Sequence, residues 1–327
     1  MKPILIHTHF HKRRTGVTRS IENVLPFLSK KIETYIYGYN VDGLKISKGD
    51  LKKLLFSKTK VIVHCHRNNE LLRMLFYRFL GAKFTLIATR HSDTEPSWLT
   101  MFLLKKADKV ITLIDQMGKN LGIKNTVIGH GVNVQQFIPK NEVVLKEVAQ
   151  KKIILCAGRV RKSKGHLTLL NAAKVLQKHK DWALVVVGTV DKPAFLDELK
   201  IISQTLEIDK QVYFIQETTN IVSYYQAANI VAVPSFTEGF SLVTLEAMSV
   251  GCSVIATKNV GVHSTLIKHA KNGYLFAAGN VGELENLFLK MIEDKSLNTG
   301  ANARETILEH WSAQKEAENL LKLYLSA

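Results

Sequence analysis

Two short apolar runs, separated by a loop and a helix-like stretch, constrain the fold of this chain the most. Residues 229–233 read Asn-Ile-Val-Ala-Val and residues 253–257 read Ser-Val-Ile-Ala-Thr, which is typical of buried strands in a parallel sheet. The stretch between them ends near Gly251, a residue that commonly follows the last turn of a helix. The pattern predicts a strand–loop–helix–strand unit. Ligands of such sheets bind outside the carboxyl ends of the strands.

Two glutamates of this unit are candidate ligand-binding residues. Glu238 lies in the loop where the helix is expected to begin, and Glu246 lies about one and a half turns into that helix. A helix start carries free N–H groups and a partial positive charge, and carboxylates accept hydrogen bonds from sugar hydroxyl groups. By spacing alone, an alternative of equal weight is that Glu238 is only a charge at the helix start and that Glu246 is solvated.

A basic loop bounded by glycines forms a second candidate site. Residues 151–157 have the pattern of a strand, residues 158–165 read Gly-Arg-Val-Arg-Lys-Ser-Lys-Gly, and residues 166–177 have helical spacing. Cations next to a helix start suit a diphosphate. The loop is not a Walker loop, and no Gly-x-Gly-x-x-Gly follows a strand, which disfavours a nicotinamide cofactor. Without further support, such a loop is more often solvated surface.

Length and charge point to two domains and an anionic partner. A chain of 327 residues is long enough for two domains. Residues 1–150 contain 25 basic and 11 acidic residues, a net charge of +14, whereas residues 151–327 contain 20 and 17, a net charge of +3. Nucleic acid, an anionic membrane surface and a phosphorylated acceptor are all compatible with this asymmetry. No nucleic-acid-binding motif is recognisable, so the membrane surface ranks first.

The N-terminal half reads as its own doubly wound α/β unit. Helical patterns alternate with strand candidates, which are residues 2–7, 34–39, 61–65, 84–88, 109–114 and 126–128. A loop that contains Gly16 leads into a predicted helix over 20–31, and a last helix is predicted over 312–325. The apolar and basic stretches 71–80 and 98–106 fit core helices better than a membrane-facing surface, which stays open as the alternative.

Cysteines, histidines and apolar runs exclude several classes. Cys65, Cys156 and Cys252 are widely spaced in strand-like segments, which predicts reduced core residues of a cytosolic protein. No apolar run reaches the roughly 18 residues of a membrane span, and the first residues do not resemble a signal peptide. His7, His9 and His11 alternate, but no further ligands can be identified, so no metal site is predicted.

Residues 238–256, EGFSLVTLEAMSVGCSVIA, resemble the E-x7-E signature of the family 4 retaining glycosyltransferases. The resemblance implies the GT-B fold, in which two Rossmann-like doubly wound domains face a central cleft. It also implies that Glu238 contacts the donor sugar and that Glu246 holds the ribose of the nucleotide. Residues 158–165 resemble the G-R-x4-K-G element of the same family, in which Arg and Lys bind the donor diphosphate. The remaining donor-binding residues implied are Arg159, Lys164, Gly239, Phe240, Ser241 and Gly16.

The resemblance extends to the N-terminal half. His91 corresponds to the histidine of the catalytic cleft, so that His91, Glu238, Arg159 and Lys164 form the implied catalytic set. Residues 130–137 resemble the segment that closes the N-terminal domain, with His130 in place of the usual Asn. The implied domains are an acceptor-binding domain over 1–145 and a nucleotide-sugar-binding domain over 151–311. Residues 312–327 are expected to pack back on the first domain.

A narrower likeness concerns the substrates. FHKRRTGVTRSIENVLP, HCHRNNELL and TRHSD together resemble lipopolysaccharide core mannosyltransferases of Gram-negative bacteria. This likeness implies a retaining hexosyltransferase that uses GDP-mannose, needs no other cofactor and no metal, and acts on an acidic glycolipid. The enzyme is then expected in the cytoplasm, peripheral on the inner face of the cytoplasmic membrane. The candidate acceptor residues are Arg13, Arg14, Arg19, His66 and Arg67.

Two other functions stay open at this point. A UDP-sugar epimerase can share the fold and the two-domain plan without needing an acceptor. A non-catalytic nucleic-acid-binding protein would use the basic first half, although no nucleic acid partner is expected from the motifs.

Overall fold

The chain divides into two compact units. The computed structural model describes residues 2–326. The first unit contains the residues up to Asn133 together with those from Trp311 on, and the second unit runs from Val134 to His310. Residues 134–150 therefore belong to the second unit. Counted over these units, the net charge is again +14 for the first and +3 for the second.

The first unit is a parallel six-stranded sheet with helices in the connections. Its strands lie in the order β2-β1-β3-β4-β5-β6. The strands are β1 Ile4–His9, β2 Thr34–Gly38, β3 Val61–Cys65, β4 Thr85–Thr89, β5 Lys109–Thr112 and β6 Thr126–Val127. The helices are α1 Gly16–Leu28, α2 Lys48–Leu55, α3 Asn68–Phe79, α4 Trp98–Lys105, α5 Asp115–Leu121 and, at the end of the chain, α13 Ala313–Leu325.

The second unit is also a parallel six-stranded sheet, in the order β12-β11-β10-β7-β8-β9. The strands are β7 Lys152–Ala157, β8 Trp182–Val187, β9 Val212–Ile215, β10 Ile230–Val233, β11 Ser253–Thr257 and β12 Tyr274–Phe276. The helices are α6 His166–Ala172, α7 Pro193–Thr205, α8 Ile221–Ala227, α9 Leu242–Val250, α10 His263–Leu266, α11 Val281–Glu293 and α12 Gly300–His310.

Each sheet has one point at which the strand order reverses direction. In the first sheet this point lies between β1 and β3, and in the second it lies between β7 and β10. The connections on the two sides of such a point run to opposite faces of the sheet, which leaves a crevice at the carboxyl ends of the two strands. The topology therefore singles out the loops after β1, β3, β7 and β10.

Apolar residues of the strands form the cores, as expected for sheets covered by helices on both faces. All six residues of β8 are buried, and the alternating residues Trp182, Leu184 and Val186 pack with residues of α6, α7 and α11 in one cluster. In the first unit the C-terminal helix α13 contributes Leu320 and Tyr324 to a cluster that contains Val24 and Leu28 of α1. The end of the chain thus completes the core of the first unit.

The predicted elements agree with the structure within a few residues. Strands β3 and β11 have the predicted bounds. Helix α1 begins four residues earlier than predicted because Thr15 and Thr18 form a capping box that starts it at Gly16. The helix predicted over 166–177 is divided into α6 and a 3-10 segment, Ala173–Lys178. Among residues 2–326, none of the helices combines the length and apolar character that a membrane span needs.

Candidate functional site

The basic loop after β7 is fixed against the loop after β10. Gly158, Arg159 and their neighbours lead into a single 3-10 turn, Lys162–Lys164, which ends at Gly165. Gly165 has a φ of +73°, and a Cβ atom there would lie 1.9 Å from the carbonyl oxygen of Pro234. The backbone N–H of Phe236 donates to the carbonyl of Ser163 at 2.9 Å. Only glycine permits this approach, so the two loops on either side of the strand-order reversal form one structure.

An ion pair joins the two loops. Lys164 Nζ lies 2.6 Å from Glu238 Oε1, and the two side chains are 19% and 11% exposed. Ser235 Oγ donates to the same carboxylate oxygen at 2.7 Å. Arg159, in the same basic loop, is more exposed and pairs with Asp191 at 3.5 Å. The crevice therefore holds a positioned carboxylate beside cations that remain partly open to solvent.

The backbone after Glu238 is held in an unusual conformation. Ser241 has a φ of +91°, which is costly for a residue with a Cβ atom, by about 1–3 kcal/mol. A neighbouring loop supports this segment, since the N–H of Val262 donates to the carbonyl of Phe240 at 2.9 Å. At Gly261 a Cβ atom would lie only 2.7 Å from that carbonyl oxygen. Strain that the surroundings maintain is a common property of ligand-contacting segments.

Glu246 is buried within the second unit. It lies on α9, and its Oε2 accepts a hydrogen bond from the hydroxyl of Tyr225 at 2.9 Å. The alternative that Glu246 is solvated is therefore wrong. The two carboxylates have different surroundings, because Glu238 is paired with a cation whereas Glu246 is hydrogen-bonded to a neutral phenol.

Comparison with known proteins supports an assignment. The model of the family "Glycosyl transferases group 1" matches residues 137–306, which include both loops and both glutamates. This match covers more than half of the chain.

The chain belongs to this glycosyltransferase family.

Relatives and solved structures agree with the assignment. Over 98% of this chain and 96% of the relative, it is 29% identical to the lipopolysaccharide core biosynthesis mannosyltransferase LpcC of Rhizobium leguminosarum bv. viciae. Over 56% of this chain, it is 33% identical to the C-terminal domain of the glycosyl transferase group 1 family protein LpcC from Francisella tularensis, with a TM-score of 0.53 and 99% of that structure covered.

A third comparison bears on the fold. The structure of Anabaena HepE in complex with UDP has a TM-score of 0.85 at 18% identity and is matched over the full length of both chains. The expected GT-B fold class, with two parallel α/β sheets, is confirmed, and this chain is a glycosyltransferase.

His263 lies beside the candidate site of this glycosyltransferase, and sequence reasoning missed it. It is fully buried at the start of α10, and its Nδ1–H donates to the carbonyl of Thr257 at 2.9 Å. Its Nε2 has no hydrogen-bond partner among the described residues. Burial lowers the pKa of His263, and the charges of Glu238 and Lys164 act on that pKa in opposite directions, so His263 lies close to the ion pair. His263 lies outside the motifs of the sequence. The one feature that could have identified it as a candidate is its position after strand β11.

In the first unit the crevice between β1 and β3 contains histidines in a head-to-tail row. The carboxylate of Glu316 accepts from His130 Nδ1 at 2.8 Å. Three further contacts between ring nitrogens continue the row, from His130 Nε2 to His91 Nδ1 at 3.2 Å, from His91 Nε2 to His66 Nδ1 at 3.0 Å, and from His66 Nε2 to His7 Nδ1 at 3.1 Å. We call these four histidines with Glu316 the histidine row.

Burial favours the neutral form of three histidines of this row. Burial lowers the pKa of His7 to about 3, and it lowers the pKa values of His66 and His91 well below the ordinary value. Both ring nitrogens of His91 are engaged by other histidines. A hydrogen bond from the His91 ring to a sugar hydroxyl therefore requires one of these contacts to open. His66, an expected acceptor residue, is buried inside the row.

The expected arginines lie at the surface around the start of α1. Arg13, Arg14 and Arg19 are exposed, and Arg14 pairs with Glu22 at 2.7 Å. Gly16 is the first residue of α1.

Arg67 lies at the start of α3 and links that region to α1. It is half-buried and donates to Thr15 Oγ1 at 3.1 Å, while its Nε has no hydrogen-bond partner among the described residues. Because an unpartnered buried guanidinium nitrogen is costly, this Arg67 atom is a candidate contact for a bound anion.

Proposed function

We propose that this glycosyltransferase transfers mannose from GDP-mannose, with retention of anomeric configuration, to the lipopolysaccharide core or a similar acidic glycolipid. The observation that carries the proposal is the Lys164–Glu238 pair at the carboxyl ends of β7 and β10. It presents a cation for a diphosphate and a carboxylate for a sugar at one crevice. The lipopolysaccharide core mannosyltransferase from Rhizobium, aligned over nearly the full length, supports the substrate class.

Within this proposal, Arg159 and Lys164 bind the donor diphosphate and stabilise the negative charge that develops on it as the glycosidic bond breaks. In a retaining transfer at one face of the sugar, the leaving phosphate accepts the proton of the acceptor hydroxyl. The positive charge comes from the chain itself, so the proposed transfer needs no metal or other cofactor. Arg159 is suited to this role because its pairing with Asp191 is long and solvent-exposed.

The two glutamates are assigned to the two remaining parts of the donor, the sugar and the ribose. We assign Glu238 to hydroxyl groups of the sugar, with the strained segment of Gly239, Phe240 and Ser241 beside the sugar and diphosphate. Glu246 is assigned to the ribose, where the hydrogen bond from Tyr225 holds its carboxylate in place. His91 is assigned to the transferred sugar, after one of its two imidazole contacts has opened.

For the first unit we propose an anionic acceptor and a membrane surface. Arg13, Arg14, Arg19 and Arg67 are the candidate contacts, and the net charge of +14 attracts acidic glycolipids. The surface of α3 and α4 adds apolar anchors, with Phe79 85% exposed and Trp98 80% exposed. Aromatic side chains among basic residues are typical of helices that lie on a membrane surface. The proposed location is the cytoplasmic face of the inner membrane, as a peripheral protein.

A transfer assay tests the proposal. Purified enzyme receives GDP-mannose, UDP-glucose or UDP-galactose with truncated lipopolysaccharide, and NMR of the product gives the anomeric configuration. We expect transfer from GDP-mannose with retention. Transfer from the UDP-sugars alone would contradict the proposed donor. A new sugar isomer formed without acceptor would favour the epimerase alternative.

The membrane contact has its own test. Phe79→Ser with Trp98→Ser should weaken co-sedimentation with anionic vesicles, since each side chain loses apolar burial at the interface. The matched control is Ile201→Ser with Phe236→Ser, a pair of exposed apolar residues of the second unit. Equal sedimentation of both double variants and the wild type would remove α3 and α4 from the membrane contact.

A further inference from the structure

Three imidazoles converge at the carboxyl ends of β1 and β3. His7 and His64 are register partners on the two neighbouring strands, and His66 follows two residues later, on the same side of the chain. All three are buried, and their ring centroids lie 4.4–5.4 Å apart. One ring nitrogen from each lies within 4.8 Å of those of the other two. His7 and His66 belong to the histidine row, whereas His64 does not.

The row fixes where the protons of these rings are. In the neutral tautomer whose Nδ1–H donates to Glu316, the Nε2 of His130 has a lone pair and accepts from His91. The same argument passes along the row, so every neutral ring in it carries its proton on Nδ1. The last lone pair is that of His7 Nε2, which is buried and has no hydrogen-bond partner among the described residues. A buried lone pair that accepts no hydrogen bond costs free energy unless a cation or another group binds to it.

We propose that His7, His64 and His66 bind one divalent transition-metal ion of the zinc class. Neutral imidazoles suit Zn²⁺, Co²⁺, Ni²⁺ and Cu²⁺, whereas Mg²⁺ and Ca²⁺ prefer oxygen ligands. A cavity of about 10 Å³, about the size that one water-sized group needs, is lined by all three rings. His7 offers its unpartnered nitrogen, and His64 and His66 each exchange one present hydrogen bond for the metal.

The nitrogens have to move together to bind an ion. Two imidazole nitrogens at about 2.0–2.1 Å from one tetrahedral zinc ion lie roughly 3.3 Å apart. In the structure the ring nitrogens of His7, His64 and His66 lie within 4.8 Å of one another. Side-chain rotations therefore have to shorten the longest of these nitrogen–nitrogen distances before an ion can bind. Both hydrogen-bond partners of the His64 ring are hydroxyl groups, that of Tyr324 at 2.7 Å and that of Thr89 at 2.6 Å. Whichever of the two bonds His64 exchanges for the metal, no charged contact is broken.

Two buried carboxylates bring negative charge to this region of the first unit. Glu316 ends the histidine row. Glu70 accepts from the backbone N–H of His66 at 2.8 Å and from the hydroxyl of Thr8 at 2.9 Å, and it is fully buried. Glu316 is therefore linked to His66 through His130 and His91, and Glu70 is linked to it through the backbone. The ion would tie β1 to β3, and it has no part in the sugar transfer proposed above.

Cobalt binding to the full chain tests the site. The purified protein is stripped with a chelator and titrated with Co²⁺, whose visible spectrum reports tetrahedral nitrogen coordination, and then with competing Zn²⁺. We expect one Co²⁺ per chain, displaced by one equivalent of Zn²⁺, and a higher thermal midpoint with Zn²⁺ than without. Absence of stoichiometric binding would overturn the proposal.

Variants identify the ligands. His7→Gln and His66→Gln should each weaken Co²⁺ binding more than a hundredfold, and Glu316→Gln should weaken it less, because Glu316 is linked to His66 only through His130 and His91. The matched control is His9→Gln, because His9 is buried on the same strand but hydrogen-bonds Tyr39 and Thr18 instead of the cluster. Unchanged binding in His7→Gln and His66→Gln would assign the metal to surface histidines and refute the site.

One measurement does not depend on the folding of any variant. Electron paramagnetic resonance of the wild-type protein with one equivalent of Cu²⁺ should show coupling to three imidazole nitrogens. A spectrum with one nitrogen or none would overturn the three-histidine assignment.

Discussion

The two sheets place very different chemistry at equivalent positions. In the second unit, the loops after β7 and β10 bring a lysine and a glutamate together at 2.6 Å, partly open to solvent. In the first unit, the ends of β1 and β3 bring together neutral imidazoles that are almost completely buried. Both sites lie where the strand order of a parallel sheet reverses.

The difference shows what the topology determines and what the side chains determine. Strand order creates a crevice in each unit, but it does not decide whether that crevice binds an anion or buries a neutral network. Lys164 and Arg159 are partly open to solvent, which suits a diphosphate that arrives and leaves. In the histidine row, His7, His66 and His130 are buried, which suits a fixed structural role, whereas His91 is partly open to solvent. The predictions below test this contrast, beginning with the largest expected effect and ending with the smallest.

Glu238→Gln should give the largest effect, if the charged crevice carries the reaction. Sugar transfer should fall about a hundred- to a thousandfold, because Gln cannot replace the charge-assisted hydrogen bonds of Glu238 to the sugar hydroxyl groups, each of which contributes about 1.5–3 kcal/mol. Binding of GDP should stay the same or tighten, because a negative charge beside Lys164 is removed. Transfer assays and calorimetry measure the two quantities.

Glu246→Ala should differ from Glu238→Gln by weakening GDP itself about tenfold or more, through loss of the ribose contact. Glu198→Gln is the matched control, since Glu198 forms only an exposed pair with Lys162 at 3.8 Å. If Glu238→Gln loses GDP as severely as Glu246→Ala, the division of roles between the two glutamates is wrong.

Reversal of Arg13, Arg14 and Arg19 to Glu tests whether charge in the first unit acts at its surface rather than in its crevice. Each basic residue near an anionic membrane contributes about 1 kcal/mol, so binding to anionic vesicles should weaken about a hundredfold or more. Donor binding should stay intact. Co-sedimentation at low and high salt measures the effect, which should shrink as salt screens the charges.

The control for this variant is a triple reversal with the same change of charge in the second unit, at the exposed residues Lys178, Lys200 and Lys290. Equal vesicle binding of the two triple variants would show that only the net charge matters. Equal binding of wild type and the arginine variant at every salt concentration would remove this loop from the acceptor site.

The sequence predicted the charged crevice far better than the buried one. Strand patterns place the loops after residues 157 and 233 at one edge, and the resemblance supplied the roles of Glu238 and Lys164. The ion pair between these two is a property of the fold, since 74 positions separate them along the chain.

The histidine row was beyond prediction, because its members come from five separate segments. The alternation of His7, His9 and His11 suggested a different group. Strand β1 ends at His9, however, so His11 lies outside it and bonds the backbone of Arg13. The apolar stretch 71–80 also differs from a simple core helix, since α3 buries Leu71 and Met74 but exposes Phe79. Alternation of buried and exposed faces in so apolar a helix cannot be read from composition.

Arg159→Ala and Lys164→Ala should each weaken GDP about tenfold or more, while affinity for guanosine, which has no phosphate, stays nearly unchanged. Lys162→Ala is the matched control, because Lys162 lies in the same loop but its amine is exposed and pairs with Glu198. Calorimetry with the two ligands separates the diphosphate contact from a general loss of the site. Unchanged GDP affinity in both variants, with the fold intact, would mean that the basic loop is solvated surface.

The smallest effect concerns His166, a buried neutral histidine in the charged unit. Burial lowers its pKa to about 4, so the folded state binds fewer protons than the unfolded state between about pH 4 and 6.5. Stability from this residue is therefore fully present above pH 6.5 and is lost as the pH falls. At pH 5.5 the expected loss is about 1 kcal/mol, and His166→Gln should remove that part of the pH dependence.

Urea unfolding at pH 7.5 and 5.5 measures this, followed by the fluorescence of buried Trp182 in a background with Trp98→Phe and Trp311→Phe. The exposed His310→Gln serves as the control and should keep the wild-type pH dependence. An unchanged pH dependence in His166→Gln would show that His166 is not kept neutral by burial. Buried His263 would then be left as the candidate for a neutral imidazole among the described histidines of the second unit.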